Sequence, residues 1–305
     1  MDNAQQLEIV SSNGLENREQ SVQANPRPTA PLSVIILSFN EETNLPACLD
    51  SLEGLNCEVF VLDSFSTDKT PQIAQERGVP FYQHVFENYA LQRNWSQLNL
   101  PIQTPWVLHL DADERLTPEL VEEINSLLRH PPAEIHGFLL RKRTIFMGKW
   151  IRHGGHYPSY HLRLFRFGLG RCEDRLYDQH FIVEGAVGSL NNDYLDVVAS
   201  DLSSWTIRHA RWARLEAREM LATDSGGKQV DPNFMGNPIQ RRRWLRSAYG
   251  RGPLFVRAFL YACYRYFLRM GFLDGKQGLI FHALQGFWFR FLVDSLIFEQ
   301  AGTRE

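Results

Sequence analysis

The 305 residues carry 32 Lys and Arg against 35 Asp and Glu, a formal net charge of −3, with 44% hydrophobic residues. This composition suits a globular chain able to bury a sizeable core, and it excludes nucleic-acid binding through bulk charge. The cysteines at 48, 57, 172 and 263 show no C-x-x-C spacing and read as reduced thiols, not a zinc site or disulfide scaffold.

In chain order, residues 1–31 are polar, rich in Asn, Gln and Ser, and end in NPRPTAP; a disordered tail without a signal peptide is expected. LSVIILSF, from Leu32, is a continuous β-branched run of the kind buried on both faces of a parallel sheet. Asn40-Glu41 follows, then a short helix over LPACLDSL. Glu58–Leu62 is a second buried strand ending in Asp63, and TPQIAQER is a helix stopped by Gly78. Val79–Val85 reads as a third strand, Asn88–Leu98 as a helix and Trp106–Leu110 as the fourth strand. This alternation predicts an α/β architecture with a mostly parallel sheet flanked by helices.

The fourth strand runs into Asp111-Ala-Asp113-Glu114. Side chains two apart on an extended segment point the same way, so Asp111 and Asp113 can face one ligand. A helix start at Thr117-Pro118-Glu119 explains the later residues but leaves the two aspartates unexplained. Ligands of parallel sheets gather at the carboxyl ends of strands, and here those ends carry Asn40-Glu41, Asp63 and Asp111-Ala-Asp113. Three converging acidic or amide ends favour a metal and nucleotide site over capping alone. Neither G-x-G-x-x-G nor a P-loop is present.

Beyond His136, GFLLRKRTIF, HLRLFRF and HFIVEGAVG read as strands around the glycine- and histidine-rich Gly148–His156. His153, His156 and His161 admit a zinc reading, but Gly154-Gly155 and Pro158 suggest a mobile loop. Asp201–Thr223 reads as one helix and 226–239 as a linker. Gln240–Leu273 holds eight arginines, no lysine, no acid and nine aromatics. Such a segment can bind nucleic acid, lie in an anionic membrane interface, or pack its aromatics on the core while arginine stems snorkel outward. The apolar clusters FLYACYRYF and LIFHALQGFWFRFLV favour a lipid boundary over phosphates alone. The stretch Gln277–Phe289 between Lys276 and Arg290 is too short to span a bilayer.

The order SVIILSFNEE, VLDSFSTDKT, ALQRNW and LHLDADE resembles the family 2 glycosyltransferases, inverting enzymes of GT-A fold that use nucleotide-diphosphate sugars. KWIRHGGHYPSYHLRLFR and YRYFLRMGFLDGKQGLIFHALQGFWFR resemble the subgroup that builds lipopolysaccharide core and related surface glycans. The similarity runs from about Leu32 to Glu299. It implies a GT-A domain over 32–225 and a helical, membrane-associating segment over 240–305. It also implies nucleotide contacts from Ser38, Asn40, Glu41, Asp63, Arg93 and Asp111, and a Mg²⁺ or Mn²⁺ ion on Asp113. Arg93 can equally be a helix-surface arginine.

The resemblance further implies a carboxylate that takes the acceptor hydroxyl proton, within Cys172–His180. Where family members read Val-His-Glu this chain has Tyr177-Asp178-Gln179, and glutamine cannot accept that proton. Asp178 is the first candidate, with Asp174 and Glu173 behind it; these acids can instead pair with Arg171 and Arg175. Trp150, His153 and Tyr157 would stack on and hydrogen-bond to donor or acceptor sugar. The expected enzyme moves a hexose, with UDP as carrier, to a lipid-linked or lipopolysaccharide-type saccharide. It would sit peripherally on the cytoplasmic face of the membrane, on an anionic surface, with no nucleic-acid partner. A sugar-phosphate nucleotidyltransferase and a non-catalytic membrane scaffold are the rival readings.

Overall fold

The computed structural model describes residues 30–222 and 229–302. The expected amino-terminal tail therefore lies almost wholly outside the described residues, as does the first part of the 226–239 linker.

The first strand, β1 (Leu32–Ser38), is buried along its whole length and pairs in parallel with β2 (Cys57–Asp63) and β4 (Trp106–Asp111). Alternation divides its side chains between two layers. Leu32, Val34 and Ile36 pack with Leu45, Leu120 and Ile124, whereas Ile35 packs with Ala90, Val107 and Phe165 on the other face. Each such aliphatic residue contributes about 2 kcal/mol through burial. That is why the run is continuous instead of alternating. Helices α1 (Leu45–Asp50), α2 (Thr70–Glu76) and α3 (Tyr89–Asn99) link the parallel strands. The third strand, β3 (Phe81–Gln83), is only three residues long, shorter than the expected Val79–Val85.

Thr117 does cap a helix: its Oγ1 accepts from the Leu120 N–H, and Pro118 opens α4 (Pro118–Arg129). The cap and the aspartates are thus separate features, with a short strand, β5 (Glu114–Leu116), between them.

Past α4 the sheet becomes mixed. β6 (Ile135–Phe146), its partner β7 (Lys149–Trp150) and β8 (Ser159–Arg166) are antiparallel, and β9 (Gly170–Cys172) pairs separately with β10 (Phe181–Val183). HFIVEGAVG is not one strand. It divides into β10 and the start of β11 (Ala186–Val198), which runs parallel to β6 and closes antiparallel on β5. The order is β3-β2-β1-β4-β8-β6-β11-β5. This order matters because β11 carries Asp196 beside Glu114 and Thr144.

Helix α5 (Leu202–Leu221) starts at Asp201, which accepts from the Ser203 and Ser204 N–H groups. α6 (Pro238–Gly250) is opened by a reciprocal capping box between Asn237 and Gln240. α7 (Val256–Cys263) continues into a wider turn, Tyr264–Leu268; α8 (Gly275–Phe281) and α9 (Phe289–Gly302) follow, the last packed on α5 through Ala213, Ala217 and Val293. No helix among the described residues is long and apolar enough to cross a membrane.

Candidate active site

The ends of β1, β2 and β4 form one rim. Asp63 is fully buried, and its carboxylate accepts from Ser38 Oγ at 3.0 Å, Ser66 N at 2.7 Å, Ser66 Oγ and Gln83 Nε2 at 3.2 Å. Both oxygens are thereby occupied in holding the 64–70 loop. Asn40 sits at φ 54°, a left-handed conformation that asparagine tolerates better than most residues. From there its Oδ1 accepts from Thr67 N at 2.9 Å and its own N–H reaches Ser66 Oγ at 2.7 Å. Glu41 accepts from Asn44 Nδ2 at 2.7 Å; burial raises its pKa, against the pull of Asn44 and of Arg208 from α5.

Arg93 is not a surface residue. It is buried, and its Nη2 donates to both oxygens of Asp111 at 2.9 and 3.0 Å. A second arginine, Arg163 of β8, donates to Asp111 Oδ2 at 3.1 Å and to Glu114 Oε1 at 2.5 Å. Glu114 in turn accepts from the Asp111 N–H at 2.9 Å. Burial opposes ionisation of Asp111, but Arg93 and Arg163 outweigh it and hold that carboxyl well below the usual range. Burial, offset in part by Arg163, pushes Glu114 up to about 7.

Asp113 has the opposite environment. Burial first, then Asp196, Asp111, Glu114 and Glu41, drive its carboxyl well above the ordinary value. No donor from the described residues meets its oxygens. Asp196, in contrast, accepts from Lys142 Nζ at 2.7 Å and Thr144 Oγ1 at 3.3 Å.

Glu114, Arg163, Lys142 and Asp196 were not among the residues expected from the sequence. Arg163 lies in HLRLFR, whose alternation shows only a half-exposed strand, and Asp196 lies on a strand half that goes unread. Because Arg163 is nearly inaccessible and pairs two acids, Arg163→Ala leaves Glu114 buried without a cation and the partly exposed Asp111 with Arg93 alone. A loss of about 4 kcal/mol is expected, seen as a fall of roughly 10 °C in the thermal midpoint. An unchanged midpoint would show that solvent reaches this cluster freely.

The acids of the candidate base segment have separate surroundings. Glu173 is fully buried as a clasp, accepting from the backbone N–H of His180 and of Val230 and from Arg243. That excludes it as a proton acceptor for substrate. Asp174 is exposed and pairs loosely with Arg171 at 3.5 Å. Gln179 donates to the Arg175 carbonyl at 2.8 Å. Asp178 sits at φ 56°, paired with Arg246 and, at 3.3 Å, with Arg242, while His180 Nε2 lies 3.9 Å away. Burial opposes its charge, but Arg242, Arg246 and His180 keep it ionised well below the usual range.

Strand alternation places Lys142, Ser159 and His161 on one sheet face with Tyr194 and Asp196, and Arg242 Nη1 reaches Ser159 Oγ at 3.4 Å. Asp178 therefore lies toward the face that carries the acid cluster.

The 148–158 loop is pinned, contrary to the expected mobility. His153 donates its N–H to Asp274 Oδ2 at 2.9 Å and pairs through Nδ1 with Oδ1 at 2.7 Å. Gly154 N–H donates to the Arg269 carbonyl at 2.8 Å, and Arg265 Nε donates to the Gly154 carbonyl at 2.9 Å. Gly154, at φ +70°, has no room for a side chain, since a Cβ would lie 2.1 Å from the His282 ring. Trp150 packs edge-on to Tyr157 at 5.0 Å, beneath the Arg143 guanidinium at 4.3 Å, and Tyr157 OH donates to Asp193 at 3.1 Å. His156 bonds Thr144 and His161 packs on His180, so the three histidines go to different partners.

The family model described as Glycosyl transferase family 2 matches residues 33–185, half of the chain. The chain belongs to glycosyl transferase family 2. Its relatives include the lipopolysaccharide core biosynthesis glycosyltransferase LpsC of Rhizobium meliloti, 33% identical over 168 residues, which are 53% of this chain and 61% of LpsC. The chain spans between about a third and 61% of the length of the first curated relatives it matches. Among solved structures it is similar to S. aureus TarS 1–349, at 14% identity and a TM-score of 0.44, covering 89% of this chain and 91% of that one. It is also similar to glucosyl-3-phosphoglycerate synthase of Mycobacterium tuberculosis in complex with Mn²⁺, UDP and phosphoglyceric acid. There the identity is 22% and the TM-score 0.32, over 38% and 44% of the two chains.

The family 2 match ends at Gly185, so it includes Asp63, the Asp111–Glu114 turn, Arg163 and Asp178 but not Asp196 or the arginines of α6. Those outer residues complete the charge balance of the site from beyond the matched region.

Proposed function

We propose that the protein is a metal-dependent, inverting hexosyltransferase that takes its sugar from a nucleotide-diphosphate donor, with UDP as carrier. The acceptor is a lipid-linked or lipopolysaccharide-type saccharide at an anionic membrane surface, on the cytoplasmic face. Lipopolysaccharide core biosynthesis is the role in LpsC's name, and that supports this acceptor class. The observation that carries the metal reading is Asp113, a carboxylate crowded by four other acids and met by no donor among the described residues.

The donor set fits a hard dication, since it offers carboxylate oxygens and neither thiolate nor imidazole. Among the described residues no three His, Cys, Asp or Glu side chains converge into a closed cage. Asp113 would hold Mg²⁺ or Mn²⁺ with the help of donor oxygens. The ion would supply positive charge to offset the negative charge that builds on the leaving diphosphate.

This chain's own residues do the remainder. Arg93 and Arg163 fix Asp111 in its ionised form beside the nucleotide, and Ser38 and Asp63 hold the loop that carries Ser66 and Thr67 against Asn40. Glu41 completes that wall. Asp178 Oδ1 takes the acceptor hydroxyl proton as the oxygen attacks the anomeric carbon. Its Arg242 contact is the weaker and more exposed of the two, and yields first as acceptor enters. Trp150 and Tyr157, packed with Arg143 and Asp193 on the sheet face opposite Lys142 and Asp196, and His153, held by Asp274, are not assigned to the sugar.

A thermal-shift panel of nucleoside diphosphates with and without Mn²⁺ tests this reading. UDP with Mn²⁺ is expected to give the largest upward shift, corresponding to about 2.7 kcal/mol at a hundredfold excess over Kd. No shift with any nucleotide would overturn it.

A further inference from the structure

The helix α7 and the wider turn that continues it, Tyr264–Leu268, are inverted. Val256, Phe259, Leu260, Tyr264, Phe267 and Leu268 are spaced three and four apart, the pattern that normally faces a core, and all are exposed. Phe267 and Leu268 are 62% and 75% exposed, whereas Arg257 and Arg265 of the same stretch are 6% and 5% exposed. Arg257 donates to Asp294 at 2.8 Å and to the Gly250 carbonyl at 2.6 Å, and Arg265 is bonded to Gly154 and Gln285. The segment thus turns its charge inward and its apolar side chains outward. Met270, Phe272, Leu273 and Leu279 extend the exposed apolar surface.

The charge around this face selects what covers it. From Pro238 to Val293 there is a single acid, Asp274, and it is buried against His153. Arg251, Arg269 and Lys276 are exposed nearby, and none is paired with an acid among the described residues. A second copy of the chain docked here would bring these like-charged residues toward each other. An anionic lipid surface neutralises them while its acyl boundary takes the phenylalanines and leucines.

We infer that the exposed face of α7 and the 267–273 turn is the surface that seats this protein on an anionic bilayer. The inference deepens the membrane-surface reading above and rests on it, by assigning a specific face. It also fixes an orientation. The 267–273 turn and the adjoining Asp274 are bonded to the 148–158 loop, through the Arg269 carbonyl to Gly154 and through Asp274 to His153. A bilayer beneath the turn therefore lies next to the loop whose His156 bonds Thr144, on the sheet face of Lys142 and Asp196.

Flotation of the full chain with phosphatidylglycerol and with phosphatidylcholine vesicles tests this, alongside the doubly substituted Phe267→Ser, Leu268→Ser chain and the Arg269→Gln chain. Phosphatidylglycerol should be preferred by more than about tenfold, and the double substitution should lower partitioning by at least about tenfold. Arg269→Gln should lower it about fivefold, an effect that added salt removes. The UDP thermal shift of each variant should equal that of the unmodified chain, which shows that the nucleotide half is intact. Undiminished phosphatidylglycerol binding by the double variant would overturn the assignment of this face while leaving membrane attachment in place. No vesicle binding by the unmodified chain would overturn both. A lipid-free dimer by light scattering that the double variant disperses would replace the bilayer with a second copy.

Discussion

Asp113→Ala is expected to lower transfer by at least about a thousandfold and to abolish the Mn²⁺-dependent part of UDP binding. Asp113 shares its surroundings with Asp196, Asp111, Glu114 and Glu41, and no described donor offsets its charge. Such crowding destabilises the unliganded protein, and on the proposed reading a cation and a diphosphate relieve it. Alanine removes a buried carboxyl whose charged form its surroundings disfavour, so the thermal midpoint without ligand should stay level or rise. The combination of lost turnover and undiminished stability separates this account from a structural role for Asp113. Full turnover in the variant would remove the metal from the mechanism. A lowered midpoint would mean that the carboxylate has a partner in the fold.

Asp178→Asn is expected to reduce kcat by about a hundred- to ten-thousandfold with the donor affinity unchanged. Asparagine suits the left-handed backbone at this position, so the turn should persist. Arg246 retains its contact with Glu216 at 2.9 Å, and Arg242 is half exposed, so neither cation is left stranded in the interior. A fall in rate can then be read as loss of the proton acceptor and not as loss of fold. Single-turnover kinetics with donor in excess would measure it. If Asp178→Asn turns over normally, Asp174, exposed and only loosely held by Arg171, becomes the base, and Asp174→Asn should show the defect instead.

The nucleotide half of the fold is readable in one dimension because its strands are buried on both faces. Continuous runs such as LSVIILS are the direct mark of a strand inside a parallel sheet. The acids at the ends of those strands could be placed on one rim for the same reason. What escaped is what depends on pairing across long stretches of chain. β11 brings Asp196 beside Glu114 and Thr144, yet Asn191-Asn192 and the register shift before Asp193 break its alternation. Arg93 could not be told from a surface arginine until Arg163, seventy positions later, was seen to share Asp111 with it.

The arginines of the carboxy-terminal helices show the same difficulty with the opposite result. Counted along the chain they suggest a free basic surface. In the fold Arg243 meets Glu173, Arg246 meets Asp178 and Glu216, Arg290 meets Glu216, and Arg257 meets Asp294. Much of the positive charge is thus spent inside the protein, and only a few rim cations remain for an outside partner.

Crystals grown with UDP and manganese give the most direct test, because anomalous scattering locates the ion independently of any activity. The account predicts a manganese peak in bonding contact with the Asp113 carboxylate and the diphosphate oxygens, with Asp111 still held by Arg93 and Arg163. Bound UDP with no anomalous peak at Asp113 would contradict it.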